Sequence, residues 1–454
     1  MGYRFITNGW RIKAGAVSLV LCLGAVAAVA GPPPDARDNP EAFLRFAIDQ
    51  ACRNPLPPGA QTGAQAGAEL ARRFGGAKLL EARIFDFRGK PGRAQFGLLL
   101  AGGDEVRISR LFPLGRLRRV TVDYYRGLPK GPPRPVMSAA VNAECGVLRA
   151  ARIDYDRRGR AETLLNLGQD LKQVLSRQPL NPPVPPGSGG GRDPDGVLVA
   201  HVDTGVNYLL EGVSRRLARD SRGMPLGFDY WDMDNRPFDL DTGRSPFFPL
   251  RHGTAVASII LREAPGARLV PYRYPRPDMS RMEALVADAD NVGAVIVNMA
   301  MGSNKRSDWE ALARAAGERP HMLFVISAGN DGRDIDEKPV FPAALDLQNF
   351  LVVTSADDFG RLAEGSNWGR DHVDIMVPGE RIPVTDHRGA AGKASGSSFA
   401  VPRITALAAR LLAKHPDWKA KELKRAIVAR ARPSRHYETP PVRYGWIPDP
   451  TDDF

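Results

Sequence analysis

Residues 197–206 read VLVAHVDTGV. A continuous apolar run that stops at Asp-Thr-Gly reads as a buried strand delivering a carboxylate at its end. Two chemistries place a catalytic aspartate in such a setting. A pair of these carboxylates can share a proton and activate water, or a single one can orient a histidine that serves a nucleophile. A second DTG at 241–243, within DLDTGRS, sharpens the choice. The paired reading needs two comparable β-rich lobes, and Asp203 and Asp241 are too close in sequence for each to own one. The second motif also lacks a preceding strand, since PFDLDTGRSPFF is polar and broken by proline. The paired reading is therefore set aside and the second DTG reads as a turn, while the role of Asp203 has to be read from residues far from it.

Outward from this stretch, buried-looking strands alternate with helical stretches. GVLVAHV, ARLVPY, GAVIVNMA, HMLFVISA and FLVVTSA carry continuous apolar runs, with SRMEALVADADN and SDWEALARAAGE among them. This pattern predicts an α/β fold whose mostly parallel sheet has helices on both faces. In such sheets a site lies beyond the carboxyl ends of the strands. Asp203, the segment at Met301 and Gly302, and the segment at Gly329 and Asn330 all stand where a strand stops.

A histidine and a nucleophile for Asp203 are found far downstream. RHGTAVASII (251–260) sets His252 just ahead of a helix of small residues. GSSFAVPRITALAARLLAKHP (396–416) places Ser398 at the start of a long amphipathic helix, after the flexible Gly396. There the unpaired N–H groups and the positive end of the helix dipole favour an oxyanion. Pro402 falls early enough in that helix for its missing N–H to cost little.

In the order Asp, His, Ser, the strings VDTG (202–205), HGTAVAS (252–258) and GSSFAVP (396–402) resemble those of the subtilisin-like serine peptidases, the subtilases. SAGNDG (327–332) resembles the segment whose asparagine completes that family's oxyanion hole. NMAMG (298–302), FPA (341–343), SNWG (366–369) and VPG (377–379) are weaker likenesses. The resemblance runs from 197 to roughly 432, about half of the chain. It implies a subtilisin-like fold and a serine endopeptidase with Ser398 as nucleophile, His252 as general base and Asp203 as its orienter. It further implies Asn330 as oxyanion donor, and a peptide-binding edge at Ala300, Met301 and Gly302 faced by Ser327, Ala328 and Gly329. An inactive peptide-binding module on the same fold is the alternative. Family members often carry structural calcium. No cofactor is required by this chemistry, and the acidic stretch FDYWDMDNRPFDLDTG (228–243) lacks the spacing and central glycine of an EF-hand loop, so calcium is left without a site. Three positions depart from the family pattern. Ser397 replaces a threonine, Ala300 and Met301 replace serine and leucine, and His201 replaces an aliphatic residue. Strand alternation puts His201 on the side of Asp203, where it is either a packed structural histidine or one that touches and tunes the carboxylate.

The rest of the chain sets the context. Residues 1–30 have a basic start, the apolar run AGAVSLVLCLGAVAAVA and a small-x-small site before Gly31, the pattern of a signal peptide. Export to the periplasm or the extracellular space is expected, with an uncleaved membrane anchor as the alternative and no other membrane insertion. Residues 31–178 mix one helical opening (NPEAFLRFAIDQACR) with alternating stretches such as EVRISRLF and RVTVDYY, and with a hairpin around Arg158 and Gly159. They read as a smaller α+β accessory domain, either a removable pro-segment or a permanent docking domain. Its length and cysteines lean toward the second. Residues 179–196 form a Pro/Gly-rich linker, 197–432 the peptidase domain and 433–454 a C-terminal tail. Without the leader, Cys52 and Cys145 remain, and an even count in an exported chain suggests a disulfide between them. The net charge of +12 raises nucleic acid as a partner. The basic residues are scattered and no aromatic platform accompanies them, so the expected partner is a protein or peptide substrate.

Overall fold

The computed structural model describes residues 34–52, 63–87, 90–186 and 196–452. The signal segment and half of the linker (187–195) lie outside the described residues. The described chain divides into two units. One runs up to Asn181 and includes Arg244–Phe248; the other comprises Pro182–Gly243 and the chain from Pro249 onward.

In the first unit, helices α1 (Pro40–Cys52) and α2 (Gly63–Arg73) precede eight strands: β1 (Lys78–Phe87), β2 (Lys90–Leu99), β3 (Glu105–Leu111), β4 (Arg119–Arg126), β5 (Arg134–Val141), β6 (Val147–Tyr155), β7 (Ala161–Leu167) and β8 (Val174–Pro179). They form one antiparallel meander in sequence order. Period-two alternation sends Val106, Ile108, Val120, Val122 and Tyr124 into a core shared with Phe43, Leu44, Ala47 and Ile48 of α1. The β6–β7 hairpin turns at Gly159, whose φ of 78° suits glycine. Cys52 ends α1 and Cys145 lies between β5 and β6; both are thiols in this structure. Burial, reinforced by the facing Cys145, pushes the Cys52 thiol up to about 12.

The second unit holds β9 (Val197–Asp203), α3 (Glu211–Ser214), β10 (Phe228–Asp229), α4 (Gly253–Glu263), β11 (Ala267–Arg273), α5 (Met282–Asn291), β12 (Ile296–Met299), α6 (Glu310–Gly317), β13 (Leu323–Ser327), β14 (Phe350–Ala356) and β15 (Ile375–Pro378). The hairpin strands β16 (Ile382–Thr385) and β17 (Ala391–Ala394) and the helices α7 (Ser397–Lys414) and α8 (Ala420–Val428) follow. Seven strands make a parallel sheet in the order β10-β11-β9-β12-β13-β14-β15. Alternation divides their apolar side chains between two cores. Val199, Leu269, Ile296 and Val325 face α4, α7 and α8, while Ala200, Val270, Val297 and Phe324 face α5 and α6. Both faces are thus covered, which is why the strands read as unbroken apolar runs. The C-terminal tail also packs, with Val442, Trp446 and Ile447 buried. Among the described residues no helix is long and apolar enough to cross a membrane.

Candidate active site

Asp203 closes β9 and is nearly inaccessible. Its Oδ1 accepts from the Thr204 N–H at 2.7 Å. Both carboxylate oxygens face Nδ1 of His252, at 2.8 and 2.9 Å. His252 stands at the N-cap position of α4, where its side chain makes no capping bond and is free to face Asp203. The next residue is a glycine because a Cβ there would stand 2.0 Å from the Gly205 carbonyl oxygen and 3.1 Å from the Asp203 Cβ. The helix start can therefore close onto the end of β9. Burial pulls the His252 pKa down, but the carboxylates of Asp203, Asp239 and Asp241 outweigh it, and the net shift is upward.

Ser398 lies in the first turn of α7, after Gly396, whose φ is 124°. Phe399, its neighbour, sets its ring 5.8 Å from the imidazole of His252, so the first turn of α7 lies beside α4. The Ser398 hydroxyl donates to the Ala300 carbonyl at 3.4 Å and not to His252. Asn330 follows β13. Its Oδ1 accepts from both the N–H and the hydroxyl of Ser397, each at 2.9 Å. That fixes the amide with Nδ2 turned away from these donors. The Ser397 hydroxyl is in turn 2.8 Å from that of Ser327.

The segments 300–302 and 327–329 continue the neighbouring strands β12 and β13. Gly302 is exposed and Met301 and Gly329 are partly so. Ala300 and Ser327 are buried. Ala328 is fully buried, its N–H on Val353 and its carbonyl on Asn367, which makes it a brace for the loop. His201 does not reach the Asp203 carboxylate. Its ring bonds the Gly253 carbonyl at 3.0 Å and the Asn298 amide at 3.1 Å.

Two residues important to this geometry, Asp239 in the acidic stretch and Asn367 in SNWG, were given no individual role from sequence. Asp239, inaccessible to solvent, accepts from the Thr204 hydroxyl (2.5 Å), the His252 N–H (3.1 Å), and the hydroxyl and N–H of Thr254 (2.5 and 3.1 Å). Asn367 accepts from the N–H groups of Asp331 and Arg333 and donates to Ala328, tying both sides of the Asn330 loop. Neither sits in a local pattern that marks its partners. The other aspartates of 228–243 are also matched. Asp229 and Asp232 pair with the buried Arg273 (2.8 and 2.5 Å), Asp234 pairs with Arg236 (2.7 Å), and Asp241 accepts from Tyr274 (2.8 Å) and from the Gly243 N–H (2.7 Å). Calcium would have to displace these donors, so the stretch does not fit the ion. Among the described residues no group of three or more His, Cys, Asp or Glu could hold a metal.

A parallel sheet covered on both faces, with Asp203, Asn330 and the starts of α4 and α7 at one end of its strands, defines a subtilisin-like α/β fold. The model of the subtilase family matches residues 194–446. This chain belongs to the subtilase family. It is 28% identical over 230 residues to a thermophilic serine proteinase of Bacillus sp. (strain AK1), covering 48% of this chain and 52% of that one. It is 34% identical over 182 residues to the subtilisin-like protease het-Q2 of Podospora anserina, covering 36% and 48%. The crystal structure of a cold adapted subtilisin-like serine proteinase matches with a TM-score of 0.47 at 23% identity, covering 59% of this chain and 93% of that one. The chain spans about half the length of these curated relatives.

Proposed function

We propose that this protein is an exported serine endopeptidase that cleaves peptide bonds through Asp203, His252 and Ser398. The observation that carries this reading is the His252 imidazole, held by Nδ1 against Asp203 beside the first turn of α7. With Nδ1–H donated to the carboxylate, Nε2 is left unprotonated and able to take the proton of Ser398 as its oxygen bonds the substrate carbonyl carbon. The oxyanion formed is met by the Ser398 N–H and by Nδ2 of Asn330. His252 then gives its proton to the leaving amine as the C–N bond breaks, and water releases the acyl group by the same steps. Each oxyanion donor is worth ~3 kcal/mol in the transition state.

Export is supported by the leader pattern of residues 1–30. The accessory domain is read as permanent, supported by its length and its cysteine pair. A fluorophosphonate probe on the full chain, read with N-terminal sequencing, tests these points. Labelling at Ser398 that Ser398→Ala abolishes is expected. A folded protein without labelling would be a peptide-binding module instead. A mature form beginning between 180 and 197, produced only with Ser398 intact, would make the accessory domain a pro-segment.

A further inference from the structure

We propose that His201 is a positioning residue for the catalytic histidine, the third member of a buried chain of hydrogen bonds that ties α7, β12, β9 and α4 together. Thr405 donates its hydroxyl to Asn298 Oδ1 at 2.8 Å. The Asn298 amide reaches Nδ1 of His201 at 3.1 Å, and Nε2 of His201 reaches the Gly253 carbonyl at 3.0 Å. All three side chains are fully buried. The direction of every bond is forced. The Gly253 carbonyl can only accept, so Nε2 carries the proton and Nδ1 is the acceptor. Asn298 must then turn its NH2 toward His201 and its oxygen toward Thr405, whose hydroxyl donates.

Each member sits next to a residue assigned to the chemistry. Thr405 lies two turns beyond Ser398 on the same face of α7. Asn298 is in β12, just before Ala300, whose carbonyl holds the Ser398 hydroxyl. His201 is two residues before Asp203, and Gly253 immediately follows His252. The elements that carry the nucleophile, the base and the orienting carboxylate are thus joined by one set of bonds behind the site. Burial holds His201 below the ordinary imidazole value despite the Asp203 charge, so the ring stays neutral and the bond pattern stays fixed. A valine would fill much of the space, but the Asn298 amide would lose its buried acceptor and the start of α4 would lose its anchor. His252 would then be held less closely to Asp203.

This inference rests on the peptidase reading, and the experiment separates the two. Full-length wild type, His201→Val, His201→Gln and Thr405→Val are compared by fluorophosphonate labelling rate, by kcat and KM on a chromogenic peptide, and by Tm. The groups facing His252 are Asp203, Asp239, Asp241 and His201. His201→Val is expected to lower kcat roughly 10- to 100-fold with KM nearly unchanged, the scale of an approximately 1 Å misplacement. Its acidic limb should move to lower pH as Asp203 loses hold of the imidazole. His201→Gln, which can accept from Asn298 and donate to Gly253, should recover much of kcat. Thr405→Val, close in volume, should lower kcat in the same sense, by less. It decides the matter should His201→Val fail to fold. Unchanged kcat and acidic limb in the folded variants, whatever their Tm, would make His201 a core residue only and overturn the assignment alone. A wild type that labels at no pH overturns the peptidase reading and this assignment with it.

Discussion

At position 239 a carboxylate with no exposed surface collects two hydroxyls and two backbone N–H groups, one of them from His252. Burial alone would raise its pKa, but the His387 ring 3.4 Å away, with Thr204 and Thr254, holds it at about 2. A carboxylate depressed in the folded state stabilises the fold above its unfolded pKa and loses that contribution as pH falls through the folded value. The contribution of Asp239 is therefore complete above about pH 4 and fades toward pH 2. Asp239→Asn turns an NH2 group onto one pair of donors and removes the charge that the others use. A loss of about 2–3 kcal/mol in urea unfolding is expected at neutral pH, and kcat should fall because the His252 peptide is no longer fixed. The stability difference from wild type should narrow when the melts are repeated near pH 3. A difference independent of pH would mean that the charge of Asp239 is not what the site uses.

At the scale of elements, α7 presents Ser398, the proposed nucleophile, and, through Ser397, also orients Asn330, the proposed oxyanion donor. Ser397→Ala leaves the nucleophile in place but removes the hydroxyl that Asn330 Oδ1 accepts and that Ser327 meets. We expect kcat/KM to fall roughly tenfold, against roughly 100-fold or more for Asn330→Ala. The double variant should be little worse than Asn330→Ala, because both changes act through one donor. Additive losses on a peptide substrate would show that Ser397 acts elsewhere. The elements themselves were largely legible. VLVAHVD, VIVNM and LFVIS announce β9, β12 and β13 because strands covered on both faces must be apolar throughout. HGTAVAS and GSSFAVP mark helix starts because small residues and glycine permit the close approach seen at Gly253 and Gly396. Contacts across elements were not legible. Asp239 meets His252 through a backbone N–H, and His201 meets Asn298 and Gly253 instead of the adjacent Asp203, because the strand directs its ring toward α4. Such partners are fixed by packing and leave no periodic trace in the chain.

At the scale of the whole molecule, the N-terminal unit has no chemical motif, and its alternating strands announced a sheet without its order. The meander of eight strands is the solution in which each consecutive strand pairs with the last. Its two thiols offer a cross-link between a helix end and a distant turn. Cys52 is buried with its pKa pushed up to about 12, so at neutral pH it provides almost no thiolate. Thiolate is the species that attacks in disulfide exchange. A bridge to Cys145 should therefore form while the chain folds in an oxidising compartment, and only slowly once the reduced unit is folded. Non-reducing peptide mapping of protein exported into such a compartment should recover Cys52 joined to Cys145. Iodoacetamide should modify Cys52 of the folded, reduced protein far more slowly than after unfolding. The oxidised form should exceed the Cys52→Ala, Cys145→Ala variant by roughly 2–4 kcal/mol in denaturant unfolding, the usual effect of closing a long loop. Two free thiols in the exported protein would remove the bridge, and would leave Cys52 as an inert member of the core that α1 makes with the sheet.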